Sequence, residues 1–148
     1  MGPNSTESGA MSRPRRTVVL LVEDDAEIRE ALTELLEDKG MVPLVVADGV
    51  EALAVLRKGV RPAVILLDLM LPRMNGWEFR REQMRDSSLR GIPVIATTAA
   101  AVEVGPARAE LGNVAWLPKP FKPEVLLETI EAVVGFGPAA HGPKSSTP

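Results

Sequence analysis

Side chains that could do chemistry stand at the ends of several short apolar runs of the sequence. Glu23 and Asp24 follow one run, Asp68 ends another, and Lys119 stands just after a third. Three carboxylates brought close together repel one another, and a hard divalent cation with oxygen ligands relieves that repulsion. A small, incompletely enclosed site of this kind favours Mg²⁺, with Mn²⁺ as the alternative.

A lysine and a hydroxyl group beside such a metal site indicate phosphoryl chemistry. Thr97 and Thr98 end a further apolar run and offer the hydroxyl, while Lys119 offers an ammonium group. The cations would neutralise phosphoryl oxygens, and a carboxylate could act as the nucleophile. For each residue alone a structural role without chemistry stays open, because acidic residues after strands often cap helices and lysines are often surface charges. Their joint occurrence at matching strand ends favours one shared site.

Strands that alternate with helices would bring these residues together. The predicted strands are Thr17–Val22, Met41–Ala47, Val64–Asp68, Ile92–Thr97 and Val114–Leu117. Helices are predicted from the acidic turn at 23–25 to Lys39-Gly40, from Asp48 to Lys58, from about Trp77 to Asp86 and from Pro123 to Gly135. This alternation predicts an α/β fold, with a parallel sheet covered by helices on both faces. The carboxyl ends of its strands share one edge, where such folds bind ligands.

Two helices and one strand carry more specific expectations. Pro43 favours an edge position for the second strand. Ala99 to Ala101 favours a helix whereas Gly105-Pro106 interrupts one, so we expect a shortened or displaced fourth helix that starts near Pro106. The predicted core face of the last helix consists of Val125, Leu126, Ile130, Val133 and Val134.

The composition is that of an ordinary soluble domain, and it excludes several kinds of functional site. The 148 residues are 45% hydrophobic and 25% charged. No cysteine is present, which excludes disulfides, zinc thiolates and thiol nucleophiles and fits a cytoplasmic location. The single histidine, His141, lies in the C-terminal tail, so we expect no histidine base. The net charge of −3 gives no general attraction to nucleic acid, and no apolar run is long enough to span a membrane.

Polar segments rich in glycine, serine and proline flank the predicted domain. We expect residues 1–15 and 136–148 to be disordered tails around a domain at 16–135. Met11 is one candidate for the natural start of the protein, and the sequence leaves open whether the residues before it are native.

Four motifs of the chain belong together: Leu20–Asp25, Leu66–Pro72 with Asn75-Gly76, Pro93–Ala99 and Trp116–Phe121. In these motifs the chain resembles the response-regulator receiver domains of bacterial two-component signalling. The spacing between these motifs also fits, and the resemblance covers about Arg16 to Gly135. It implies a flavodoxin-like (βα)5 fold with strand order 2-1-3-4-5, in a stand-alone regulator of the single-domain type.

The resemblance also implies the composition of the phosphorylation site. Asp68 would accept a phosphoryl group from a phosphohistidine. Asp24 and Asp68 would bind Mg²⁺ directly, Glu23 would act through water, and the Met70 backbone carbonyl would be a further ligand. Lys119 would pair with the phosphoryl oxygens.

A second set of residues is implied to relay the phosphorylation state. Thr98 resembles the switch hydroxyl, with Thr97 facing the other way on the pleat. Trp116 stands where the family places its switch aromatic residue, and its inward rotation would remodel the face of the fourth helix, fifth strand and fifth helix. Pro120 resembles the family's cis-proline, and Asp25 would cap the first helix.

The expected function is that of a phosphorylation-controlled signalling module and not of an enzyme acting on a separate substrate. The expected partners are a sensor histidine kinase or phosphotransfer protein and a downstream protein target. We expect no membrane insertion and no direct nucleic-acid binding, because no recognition module follows Gly135. The expected state is a monomer or a weak phosphorylation-dependent dimer. Autodephosphorylation should be slow, since neither Met70 nor Ala100 can readily orient an attacking water.

Two alternatives remain open at this point. The first is a receiver-like scaffold that works without phosphorylation, an interpretation favoured by the irregular fourth helix. The second is a phosphatase of the haloacid dehalogenase type, which also uses an aspartate after a buried strand. That family has a second acid two residues later, where this chain has Met70.

Overall fold

Five apolar segments form one parallel sheet in the computed structural model, which describes residues 16–99 and 104–135. The strands are β1 (Val18–Val22), β2 (Val42–Val46), β3 (Val64–Asp68), β4 (Val94–Thr98) and β5 (Ala115–Pro118). The helices are α1 (Ala26–Asp38), α2 (Gly49–Arg57), α3 (Gly76–Arg85), α4 (Val104–Leu111) and α5 (Pro123–Val134). The strand order across the sheet is β2-β1-β3-β4-β5. The predicted fold and strand order are confirmed, and β2 with Pro43 lies at an edge.

Helices cover both faces of the sheet, which is why β3 is apolar up to its last residue, Asp68. On one face, which we call the α2–α3 core, Ile65 and Leu67 pack in a cluster with Leu56 of α2 and Phe79 of α3. On the other face, the α1–α5 core, the cluster contains Val64, Leu66, Leu36, Leu126 and Ile130. Every residue of β3 is buried. A strand buried on both sides needs no alternation of polar residues, as the sequence indicated.

Polar caps fix the starts of three helices that follow strands. Asp25 caps α1 by accepting hydrogen bonds from the backbone N–H groups of Glu27 and Ile28, so the predicted cap is confirmed. Asp48 caps α2 through the N–H of Glu51. Asn75 forms a reciprocal capping box at the start of α3. These caps place the helix starts at the same edge of the sheet as the strand ends.

Two local predictions need correction, and a third holds. The fourth strand is shifted to Val94–Thr98, because the Ile92 N–H donates to the Leu89 carbonyl and closes a turn. Helix α4 (Val104–Leu111) is short, as predicted, and Pro106 lies in its first turn. A proline is tolerated there because the N–H groups of the first turn have no partner within the helix. Val125 is 41% exposed and does not join the core face of α5.

A buried polar network, which the sequence did not indicate, holds the C-terminal end of α4. Arg80 is only 5% exposed. Its guanidinium donates to the carbonyls of Leu111 and Asn113 and to the side-chain oxygen of Gln83. Gln83 donates in turn to the carbonyls of Leu89 and Ile92. The last carbonyls of a helix carry partial negative charge, so the arginine gains a favourable electrostatic partner there.

The predicted disordered tails and Ala100 lie outside the described residues, and the domain limits at 16 and 135 stay a prediction. Within residues 16–99 and 104–135, no helix is both long enough and apolar enough to cross a membrane.

Candidate functional site

The carboxyl ends of the central strands bring the predicted site residues to one edge of the sheet. Asp68 is the last residue of β3 and Thr98 the last of β4, while Glu23 and Lys119 directly follow β1 and β5. The strand register aligns Asp68 with Thr97 and Thr98 with Pro118. Residues that are far apart in sequence therefore share one crevice, as the topology of a doubly wound sheet requires.

Three acidic residues form a cluster in this crevice. Glu23, Asp24 and Asp68 each offer a carboxylate oxygen, and these oxygens lie within 4.8 Å of one another. Glu23 is 3% and Asp68 is 5% exposed, whereas Asp24 is exposed. Burial, followed by the charge of Asp68, raises the pKa of Glu23, and the hydrogen bond from Lys119 opposes that rise. The crevice therefore holds more negative charge than its own residues neutralise.

Lys119 supplies the counter-charge of the cluster. Its Nζ lies 3.1 Å from Glu23 Oε1 and 3.1 Å from Asp68 Oδ2. Burial alone would lower the pKa of Lys119, but the hydrogen bond to Glu23 and the charges of both carboxylates outweigh that effect and raise it. The ammonium group therefore stays protonated. The Lys119–Pro120 peptide bond is cis.

The acidic cluster fits a hard divalent cation such as Mg²⁺. Oxygens that bind Mg²⁺ lie about 2.1 Å from the ion, so two ligands of one ion are at most about 4.2 Å apart. The observed spacing of up to 4.8 Å needs only a small closure. The exposed Asp24 leaves one side open to water, which Mg²⁺ usually retains in its coordination shell. All three acidic residues offer carboxylate oxygens, which favours Mg²⁺ over softer metals.

Hydrogen bonds from the loop after β3 and from helix α1 orient the Asp68 carboxylate and the backbone of Glu23 and Asp24. The Met70 N–H donates to Asp68 Oδ1 at 3.0 Å, while Lys119 contacts the other oxygen of the same group. Arg29 of α1 donates from Nη1 to the carbonyls of Glu23 and Asp24, each at 3.1 Å. Both acidic segments are thus held by contacts beyond their own strands.

The predicted switch residues lie on the two strands that follow β3 across the sheet, Thr98 on β4 and Trp116 on β5. Thr97 is aligned with Asp68, and its hydroxyl donates to the Leu67 carbonyl at 3.4 Å. Thr98 is 1% exposed and, by the alternation of the strand, faces the α2–α3 core. Trp116 packs against that same core. Arg108 of α4 lies 5.4 Å from the centroid of the Trp116 ring.

Sequence reasoning missed the contacts that three residues make at this edge of the sheet: Arg29, Asp48 and Arg73. Asp48 was predicted as the start of a helix but not as the partner of Arg73, whose Nε lies 2.7 Å from Asp48 Oδ2. The two residues are 25 positions apart, and no local pattern connects them. Only Arg29 had a usable signal, since an arginine in the first turns of a helix can reach back to the preceding loop.

A doubly wound α/β fold with an acidic crevice at its strand ends is suited to binding a divalent cation and, with it, a phosphoryl group. Residues 19–131 match the family described as response regulator receiver domain. The chain belongs to this family of two-component signalling proteins.

Known relatives match about four fifths of the chain. The DNA-binding response regulator MtrA of Mycolicibacterium paratuberculosis is 39% identical over 79% of this chain and 51% of its own length. The phosphate regulon transcriptional regulatory protein PhoB of Escherichia coli is 38% identical over 78% of this chain and 51% of its own length. Among solved structures, the receiver domain of sensor histidine kinase PA1611 from Pseudomonas aeruginosa, which has magnesium in its active site cleft, is 30% identical. It superposes with a TM-score of 0.74, over 82% of this chain and 99% of that domain.

These relatives contradict the expected set of partners. MtrA is named as a DNA-binding regulator and PhoB as a transcriptional one, so the prediction of protein partners without direct nucleic-acid binding is wrong. That prediction relied on the net charge and on the residues after Gly135. Since the chain spans about half the length of these relatives, both observations describe only the receiver part.

Proposed function

We propose that this protein is phosphorylated on Asp68 by a histidine kinase and changes its α4-β5-α5 face in response. The observation that carries the proposal is the position of the Asp68 carboxylate. It is buried at a strand end, 3.1 Å from the Lys119 ammonium group and beside Glu23 and Asp24. This arrangement combines a nucleophilic oxygen with the positive charge and metal ligands that a phosphoryl group requires.

The transfer needs only groups that the crevice and the donor supply. A carboxylate oxygen of Asp68 attacks phosphorus and forms a P–O bond. The P–N bond to the donor's histidine breaks, and the imidazole leaves with the electron pair and takes up a proton. Lys119 pairs with the phosphoryl oxygens, which its raised pKa favours. When bound by Asp24, Asp68, Glu23 through water and the Met70 carbonyl, Mg²⁺ would supply further positive charge against those oxygens.

Thr98 and Trp116 support the proposed route from Asp68 to the outer face. A phosphoryl group on Asp68 presents strong acceptor oxygens to the neighbouring Thr98 hydroxyl. Movement of Thr98 opens space on the side of the sheet where Trp116 lies. Within the described residues the indole Nε1–H of Trp116 is buried without a hydrogen-bond partner, an arrangement that costs about 1–3 kcal/mol. A second orientation of the Trp116 side chain that gives its N–H a partner could therefore be similar in free energy to the present one, as a two-state switch requires.

The phosphorylated state should be long-lived. Met70 is 57% exposed and carries a thioether, which cannot activate a water molecule near the phosphoryl group. We expect slow autodephosphorylation, and a half-life of seconds for the purified phosphoprotein would contradict this expectation.

Mass spectrometry tests the phosphorylation directly. The protein is incubated with Mg²⁺ and acetyl phosphate, and a mass increase of one phosphoryl group is expected. Asp68→Asn should abolish the increase, while Asp38→Asn, on the exposed end of α1, should keep it. Absence of the adduct from the wild-type protein would refute the proposal. Release of free phosphate over many turnovers would instead indicate a phosphatase.

A further inference from the structure

Arg73 has an unusual backbone conformation close to the candidate phosphorylation site. Its φ of 59° lies in the left-handed region, and among the described residues it is the one non-glycine residue with a positive φ. This conformation costs a residue with a Cβ atom about 1–2 kcal/mol. Such strain persists where surrounding contacts determine the conformation, and it is often found at functional sites.

An ion pair with a buried carboxylate holds Arg73 in this conformation. Its Nε lies 2.7 Å from Asp48 Oδ2, and its Nη2 lies 3.7 Å from Glu51 Oε2. The Asp48 side chain is only 4% exposed, whereas Arg73 is 57% exposed. The other oxygen of Asp48 accepts the N–H of Glu51 at the start of α2. Both oxygens of this carboxylate therefore have defined partners.

A backbone contact joins the same two segments next to the ion pair. The N–H of Gly49 donates to the carbonyl of Met74 at 3.0 Å. A Cβ atom at Gly49 would lie 2.7 Å from that carbonyl oxygen. The loop of residues 69–75, which we call the β3–α3 loop, is therefore attached to the start of α2 at two points, and one of them leaves no room for a side chain.

The β3–α3 loop also reaches the candidate site. It begins directly after Asp68, and its Met70 N–H donates to Asp68 Oδ1 at 3.0 Å. We propose that Arg73 is a positioning residue: its ion pair with Asp48 fixes the β3–α3 loop, and through the Met70 N–H it orients the Asp68 carboxylate for metal binding and phosphoryl transfer. This inference rests on the proposed function.

Substitutions at position 73 separate positioning from simple stabilisation. Arg73→Ala removes the ion pair and keeps the backbone strain, whereas Arg73→Gly removes both, so Arg73→Gly should be the more stable of the two. If Arg73 positions the loop, both variants should weaken Mg²⁺ binding about tenfold, the lower end of what loss of an orienting partner usually costs. They should also slow phosphorylation by acetyl phosphate at a fixed low Mg²⁺ concentration. Arg73→Lys should recover part of both losses.

The measurements are the Mg²⁺ affinity from tryptophan fluorescence, the phosphorylation rate from intact mass, and the melting temperature. Arg85→Ala is the matched control, because Arg85 is an exposed arginine with an ion pair to Glu82, and it should leave both site measurements unchanged. The double variant of Arg73→Gly with Asp48→Asn should bind Mg²⁺ and accept phosphate no more weakly than the weaker of the two single variants. The reason is that the two residues act as one unit.

Three outcomes decide the matter. The inference is overturned if Arg73→Gly has the Mg²⁺ affinity and the phosphorylation rate of the wild-type protein, even if Arg73→Ala has a lower melting temperature. If the wild-type protein binds Mg²⁺ but is not phosphorylated, the proposed function fails, and the Mg²⁺ affinities of the variants alone decide the role of Arg73. If the wild-type protein binds no Mg²⁺, both proposals fail.

Discussion

Replacing Glu23 by glutamine should stabilise the metal-free protein and weaken its response to Mg²⁺. Glu23 and Asp68 are both buried, and their carboxylate oxygens lie within 4.8 Å of each other. At that separation and an effective dielectric constant of about 20, two negative charges repel by about 3.5 kcal/mol. Transfer of the Glu23 charge out of water adds several kcal/mol to this cost.

The attraction to Lys119 offsets most of the cost. Its Nζ lies 3.1 Å from Glu23 Oε1, which gives about 5 kcal/mol at the same dielectric constant. Glutamine retains an oxygen that can accept a hydrogen bond from Lys119, but its amide nitrogen cannot accept the Asp25 N–H, which Glu23 Oε2 accepts at 3.1 Å. Loss of that hydrogen bond lowers the gain by about 1 kcal/mol. The balance then favours the neutral side chain by about 1 kcal/mol, in agreement with the direction of the Glu23 pKa, which is raised above 4.5.

Urea unfolding in EDTA and in Mg²⁺ tests this balance. In EDTA the Glu23→Gln variant should unfold at a higher urea concentration than the wild-type protein. Mg²⁺ at tenfold its dissociation constant should stabilise the wild-type protein by about 1.4 kcal/mol, and the variant less. Glu37→Gln, at an exposed position of α1, is the control and should change neither value. A Glu23→Gln variant less stable than wild type in EDTA would show that the Lys119 attraction dominates and would refute the reasoning.

Three further predictions concern the structure around the site. Burial alone would raise the pKa of Asp48, but the hydrogen bonds that its carboxylate accepts from the Glu51 N–H and from Arg73 outweigh burial and lower the pKa from 3.8. The ionised Asp48 therefore stabilises the fold fully above pH 3.8, and this stabilisation is lost as the pH falls through the folded-state pKa. The destabilisation by Asp48→Asn, measured by urea unfolding, should shrink from pH 7 toward pH 3, and a constant difference would contradict this. Arg80→Leu should destabilise the protein by about 3 kcal/mol, because it leaves the carbonyl of Leu111 and other buried acceptors without a donor. A free energy of unfolding within about 0.5 kcal/mol of the wild-type value, measured by thermal unfolding, would disprove this prediction. Gly76→Ala places a Cβ atom 2.7 Å from the Leu69 Cα atom and should cost about 2 kcal/mol in the same assay, whereas unchanged stability would mean that the loop backbone yields freely.

The sequence by itself determined the sheet and the residues at its strand ends. The apolar run Val64–Leu67, ended by Asp68, predicts a strand buried on both faces. The parallel topology then brings Glu23, Asp68 and Lys119 to one edge of the sheet. These conclusions depend on local patterns and on a general rule of connection, so no side-chain geometry was needed. Element boundaries were less secure, as the shifted fourth strand shows.

Only the tertiary structure decided which contacts hold the site in place. The Arg73–Asp48 ion pair joins residues 25 positions apart and depends on a left-handed backbone at Arg73, which no periodic pattern encodes. The burial of Arg80 depends on where α4 ends beside α3, and the exposure of Val125 depends on how α5 is rotated against the sheet. Such contacts arise from the packing angles and positions of whole elements. A sequence pattern identifies each element and its inner face, but it does not specify these distances.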